Sequence, residues 1–594
     1  MNERLEALRS LMKERNIDIY VVPTADFHES EYVGAYFACR RYLTGFTGSA
    51  GIAIVAADEA ALYTDGRYFL QAEEQLKGSG FTLFRTGEKG VPSMEAFMEE
   101  KLPEGGCIGF DGRVVNAAWG QRLKAIAEKK GGSLATVYDL VDEIWTDRPE
   151  MSKEKIWLLP EDYTGESAAS KIKRLQDKME EENASMHIIT SLDDIAWILN
   201  IRGNDVRHCP VVLSYLILSQ KGCVFYVDEE KLTEEVRAYL AENGVTAAPY
   251  NDIYAVADAL SEREVGRVLL DSGRINYRLY EAISKACEIV DRENPSQMMK
   301  ACKNPTEVEN IRYAHVKDGV ALVKWLKWLK ESVGKEALTE ISVSDKLEAF
   351  RSEQEHFLDI SFGTIAGYEE HGAIIHYGAT EETNAEIQPK GFLLVDSGGH
   401  YLEGSTDITR TIVMGPVTDE QKDLFTIVLR SNLNLAAAKF PRGVSGANLD
   451  ILAREPLWEL GLDYRHGTGH GVGNLLNIHE GPNSFRWRIG NKNVPYEEGM
   501  ITSDEPGVYL DHRFGIRHEN ELLCRVEEET EYGEFLGFET ITYCPFDLEA
   551  VNPELLSPRE KKLLNEYHKL VFRTLAPYLT NEEKLWLRYE TREI

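Results

Sequence analysis

Paired cysteines are missing from this chain. Its eight cysteines (39, 107, 209, 223, 287, 302, 524 and 544) are scattered, with no CxxC and no dense cluster. That excludes a disulfide-stapled scaffold and reads as buried thiols of a reducing compartment. Basic charge is also scarce, with 66 Lys and Arg against 99 Asp and Glu for a net charge of −33. With no run of Lys and Arg either, nucleic acid and anionic membrane are excluded as the main partner. No apolar stretch reaches the roughly 18–20 residues that a spanning helix needs. The opening MNERLEALRSLMKERNIDIYVVP reads as a charged amphipathic helix and a strand, without the apolar centre of a signal peptide. The expected location is the cytoplasm. A G-x-S-x-G elbow is absent, and GFTGSAG at 45–51 lacks the lysine and spacing of a phosphate loop.

What is present reads as α/β. At 594 residues the chain is too long for one core, and about 150 residues per domain gives three or four units. Residues 1–150 alternate strand-like runs (17–22, 51–55, 61–63) with helical ones (68–76, 94–102, 117–129). Residues 151–298 repeat the plan: IDIYVVPTAD, GIAIV and ALYTDGRYF have loose counterparts in SMHIITSLDD, VVLSYLILS and GCVFYVDEEKL, which predicts a duplicated α/β unit. Trp197, Arg202 and Asp205 in the second unit read as packing and surface groups. A third segment, 299–544, opens on KNPTEVEN, where Asn304 can cap a helix, Pro305 suits its first position and Glu307 its first turn. Leu322, Trp325, Leu326 and Leu329 then form an apolar helical stripe. Residues 545–594 read as a helical, aromatic C-terminal extension.

The chemistry concentrates in the third segment. HGTGHGVG at 466–473 puts two histidines four apart, the spacing of a helical zinc pair. Its four glycines each cost roughly 1 kcal/mol in a helix, so the stretch reads as extended. Extended, His466 and His470 stand about 13 Å apart, too far to share an ion. In GFLLVDSGGHYLEGSTDITRT, Asp396 and Asp407 end two β-rich runs, and a hairpin turning near 401–402 would set them opposite each other, within about 5 Å. ITSDEPGVYLDHRFGIRHEN repeats the arrangement, with Glu505 and Glu519 flanking a turn at 511–513. Four carboxylates converging in an interior require cations. Two divalent ions would balance them, and oxygen ligands with one imidazole suit Mn²⁺. Isolated His371, His400 and His512 read as surface or turn residues.

These motifs, with RRYLTGFTGSAG, YTDGRYF, LDDIAWILNIRG and GAIIHYG, resemble those of the pita-bread dinuclear aminopeptidases, and within them the long, three-domain Xaa-Pro aminopeptidases. The resemblance covers nearly the whole chain. It implies two N-terminal α/β domains, a pita-bread catalytic domain and a homodimer. It further implies hydrolysis of the bond before a proline at position two, by a hydroxide bridging two divalent metals. By the same resemblance, Asp396 would chelate one metal, Asp407 and Glu519 would bridge both, and His470 and Glu505 would complete the other. Glu505 would also shuttle a proton. His376, His466 and His479 match histidines that bind substrate and stabilise its transition state, with Tyr509 and Arg517 just outside the metals. Asp504 stands where the family often has Asn, and His518 where an aliphatic residue is commoner; neither removes a ligand. Two rivals remain, a prolidase acting on dipeptides and a catalytically silent peptide-binding protein.

Overall fold

The computed structural model describes residues 2–262, 265–487 and 493–594. The chain forms two compact units, Met1–Glu161 with Glu166–Gln297, and Asp162–Gly165 with Met298–Ile594. In the first unit, the apolar runs Ile19–Pro23, Ile52–Ala56 and Ala60–Thr64 form the middle of a six-stranded mixed sheet. Strict alternation sends Tyr20, Val22, Ala53, Val55 and Leu62 into one core, and Ile19, Val21, Ile54, Ala61 and Tyr63 into another on the opposite face. A sheet covered on both faces has such near-continuous apolar strands.

A second six-stranded sheet in the same unit repeats the first. Met186–Ile189 pairs antiparallel with Ser214–Ser219 and parallel with Arg267–Leu270, as Ile19–Pro23 pairs antiparallel with Ile52–Ala56 and parallel with Cys107–Gly109. The flanking strands also match in order and direction. The two related α/β halves expected from the sequence are present. The expectation that some of Trp197, Arg202 and Asp205 lie at the surface fails, because all three are buried. Arg202 donates to the Ala196 and Ile201 carbonyls, and Asp205 pairs with Lys231, so both charged groups find partners inside.

The second unit opens with helix Pro305–Ser332, whose Asn304 and Glu307 close a full capping box. Its stripe of Leu322, Trp325, Leu326 and Leu329 packs on Leu393, Val395, Ile408 and Ile412 of a three-stranded sheet. Helix Asp419–Ala436 buries Phe425, Val428 and Leu429 in a larger core, which Leu564, Val571 and Leu575 of the C-terminal helix Pro558–Leu575 complete. A six-stranded sheet follows, in which Ile501–Asp504 lies between Gly469–Gly471 and Asn520–Thr530. Helices followed by an antiparallel hairpin thus occur twice in this unit.

Candidate metal centre

The first hairpin is built from Phe392–Ser397 and Ile408–Val413. Asp396 stands opposite Thr409, and Tyr401 opposite Gly404, so the turn falls at Leu402–Glu403, one residue later than the sequence suggested. Glu403 is drawn inward there by Lys317, 2.7 Å away and equally buried. Asp407 is therefore not directly opposite Asp396. It lies two residues from Asp396's partner, on the same face of the ladder and within diagonal reach.

In the second hairpin the register runs from Ile501↔Leu523 through Asp504↔Asn520 to Gly507↔Arg517 and Leu510↔Phe514. Glu505 and Glu519 occupy the facing positions between these two ladders, as expected. His512 turns the tip in the left-handed region, φ 58°, and is exposed, whereas His400 is not the surface residue expected. It is buried, with Nδ1 2.8 Å from Ser405 Oγ across a two-stranded ladder.

The HGTGHGVG stretch is extended. Its centre is strand Gly469–Gly471, squeezed between two neighbours. A Cβ on Gly469 would lie 1.7 Å from the Ser503 carbonyl oxygen, and one on Gly471 2.1 Å from that of Glu480. These glycines bring His470 against the carboxylate-bearing strand. The His470 Nδ1–H donates to the Gly471 carbonyl at 3.0 Å, which leaves the Nε2 lone pair facing Asp407 Oδ2 at 3.4 Å and Glu505 Oε1 at 3.7 Å. A ring nitrogen held by a backbone carbonyl is the usual way a metal-binding histidine is oriented.

Potential ligand atoms come within 4.8 Å of one another in three overlapping groups: Asp396, Asp407 and Glu519; His470, Glu505 and Glu519; and Asp407, His470 and His479. All five expected ligands are brought together. His479, expected to face substrate, joins them, its ring edge-on to His470 at 4.3 Å. His466 goes elsewhere: its Nε2 is 2.9 Å from the Tyr509 hydroxyl, which accepts from Arg517 Nη1 at 2.8 Å. Arg517 Nη2 donates to Asp396 Oδ2 at 2.7 Å and approaches the Ile375 carbonyl at 3.5 Å. His376 therefore follows directly on a residue at the guanidinium's edge.

Burial, then the charge of Asp396, holds the Asp407 carboxyl well above the usual carboxylate range. Burial, then Asp407 and Asp396, does the same to Glu519. Burial raises Glu505 to about 7 against the pull of His470 and Arg517. One guanidinium and two imidazoles do not neutralise four clustered acids, and among the described residues no donor reaches Asp396 Oδ1. The donor set fits two hard divalent cations.

Several supporting groups escaped the sequence reading. Thr409 Oγ1 donates to Glu519 Oε2 at 2.8 Å and accepts from Arg517 Nε at 3.1 Å. Ser503 Oγ accepts the His470 N–H at 3.0 Å. Glu521 accepts the Asp407 N–H at 2.7 Å and lies 3.2 Å from His315. Thr409 and Glu521 are two residues along a strand from a ligand, so period-two reasoning would have found them. The two departures are buried as well. His518 lies between Phe425 and Phe546, and burial pushes its imidazole down to about 3. Burial, then Glu505, holds the Asp504 carboxyl well above its ordinary range.

Residues 4–144 and 147–307 each match the Creatinase/Prolidase N-terminal domain, 309–525 match metallopeptidase family M24, and 534–594 match the C-terminal region of peptidase M24. A Neurospora crassa protein named "Probable Xaa-Pro aminopeptidase P" is 41% identical over 99% of this chain and 88% of its own. Aminopeptidase P2 of Arabidopsis thaliana is 40% identical over the same shares. The crystal structure of an X-prolyl aminopeptidase from Caenorhabditis elegans, described as a cytosolic enzyme with a di-nuclear active site, superposes with a TM-score of 0.95 at 33% identity. That match covers 100% of this chain and 99% of that one. With the pita-bread architecture and the carboxylate cluster in place, these likenesses show that the chain belongs to the Xaa-Pro aminopeptidases P of metallopeptidase family M24.

Proposed function

We propose that this protein removes the first residue from peptides with proline second, at a centre of two divalent metals held by Asp396, Asp407, His470, Glu505 and Glu519. The observation that carries this reading is the convergence of three buried carboxylates and the part-buried Glu505 on one oriented imidazole. Oxygen-rich ligation favours Mn²⁺. When bound, the ions supply charge balance for the acids and Lewis-acid polarisation of the scissile carbonyl.

The chain's own groups do the rest. Glu505 carries a proton from the attacking water to the departing proline nitrogen, the work of a carboxylate placed beside the reacting bond. His376, His466 and His479 bind the peptide and place N–H donors where the oxyanion develops. Tyr509, tied to both His466 and Arg517, keeps that side of the site fixed. His479 stands close enough to Asp407 and His470 to double as a ligand.

We also assign domains at 1–150, 151–298, 299–544 and 545–594, a cytoplasmic location and a homodimer. No helix among the described residues is long and apolar enough to cross a membrane. Exposed Trp458 and Trp487, edge-on at 6.0 Å, support self-association.

The test uses metal-stripped protein reloaded with Mn²⁺, comparing Xaa-Pro-Yaa with Xaa-Pro. Metal-dependent release of the first residue from the tripeptide, with little from the dipeptide, is the expected outcome. Dipeptide preference would indicate a prolidase, and no cleavage despite bound metal a peptide-binding protein.

A further inference from the structure

We infer that Glu340 is a positioning residue, a single buried carboxylate that holds the segment carrying His376 in its working shape. The inference rests on the proposed role of His376.

Glu340 opens helix Glu340–Ser352 and is fully buried. An acid at a helix start normally serves the helix's own N–H groups and dipole, but Thr339 and Ser342 already form that capping box. The Glu340 oxygens turn instead to residues 368–385. Oε1 accepts the Tyr368 N–H and the His371 Nδ1–H, each at 2.8 Å. Oε2 accepts the Tyr377 hydroxyl at 2.8 Å and the Ala385 N–H at 2.9 Å. Four donors from four points on one segment therefore meet on one carboxylate. The Glu340 N–H also donates to the Ala385 carbonyl, and the Ile341 N–H to Asn384 Oδ1.

This segment needs such an anchor. Between the short turn Glu369–Ala373 and strand Glu386–Ile387 it has no regular structure, and a run of that length does not stay ordered without specific contacts. Its other side is fixed by close approach: a Cβ on Gly515 would lie 1.8 Å from the Gly372 carbonyl oxygen, and Arg517 touches the Ile375 carbonyl. His371 stacks on Tyr377 at 4.4 Å, and its bond to Glu340 holds the imidazole above its ordinary range. His376 precedes Tyr377, so the bonds at 371, 377 and 385 bracket it. Charge-assisted bonds to a buried acceptor are roughly twice as strong as neutral ones.

Glu340→Gln keeps the size but turns an amide NH₂ toward donors. The expected result is a loss of about tenfold or more in kcat/KM with metal content unchanged, and no further loss when Glu340→Gln is added to His376→Ala. Coupling of that kind is what a double-mutant cycle isolates. Amide exchange across 371–385 should quicken while strand Phe392–Ser397 stays protected. If Glu340→Gln fails to fold, Tyr377→Phe removes one donor and should give a smaller loss, equally absent in the His376→Ala background. Additive losses, or unchanged exchange across 371–385, would overturn the inference. The exchange measurement needs no substrate: a wild-type protein that binds metal but cleaves no peptide counts against the proposed activity, and unchanged exchange in the variant counts against Glu340.

Discussion

Burial makes three of the acids at the centre hard to ionise, and neighbouring carboxylates add to it. Glu505 moves from 4.5 to about 7, and Asp407 and Glu519 are held well above the usual carboxylate range. A carboxyl whose folded pKa exceeds its unfolded one binds more protons in the folded state. Its contribution to stability is complete below the unfolded value and is lost as pH rises through the folded one. Metal-stripped protein should therefore lose thermal stability between pH 4.5 and 7, and bound divalent ions should flatten that slope. Asp407→Asn separates the two demands on this residue. Without metal it removes a carboxyl that burial, then Asp396, makes hard to ionise, so stability should fall less steeply with rising pH than in the wild-type protein. With metal supplied, activity should fall by more than the ~10–100-fold that the outer partners of a ligand contribute. Thermal melts from pH 4.5 upward and peptide assays decide both; an Asn variant whose metal-free stability falls as steeply with pH as the wild type's would contradict the electrostatic account.

Glycine placement sets the centre at the level of strands. Gly469→Ala should force strand Gly469–Gly471 away from Ile501–Asp504, because the added carbon would overlap the Ser503 carbonyl. The expected cost is about 1–3 kcal/mol, read by urea unfolding, together with weaker metal binding as His470 retreats; a neutral variant would show that these strands yield. Glycine content is also what makes this stretch readable in the sequence, since so many helix-breaking residues in one short run rule out a helix on their own. The second hairpin is readable to the residue, because its tip at 511–513 and its ladder share one register. The first is not. Its turn is set by Glu403 meeting Lys317, a contact between residues far apart in the chain that no local pattern displays. The same limit explains Glu340 and the burial of Asp205, whose partners lie far along the chain. Ligand types and spacing are legible in the chain; their supports depend on tertiary neighbours.

Across the whole molecule, the metal ligands and their supports all belong to the unit containing Met298–Ile594. The C-terminal extension is tied to it at the centre's edge. Buried Arg410 donates to the carbonyls of Glu519, Cys544 and Pro545 and to the Tyr567 hydroxyl, so the extension helps fix the backbone at Glu519. A ligand stabilises only the part whose folded state it binds, by about 2.7 kcal/mol at one hundred times Kd. In calorimetry of the full chain, Mn²⁺ should therefore raise one transition by about 5–10 °C and leave that of the other unit in place. In Asp407→Asn that shift should shrink or vanish. Movement of both transitions together would mean that the two units unfold as one, and movement of neither would mean that the four carboxylates do not hold their charge balance through metal.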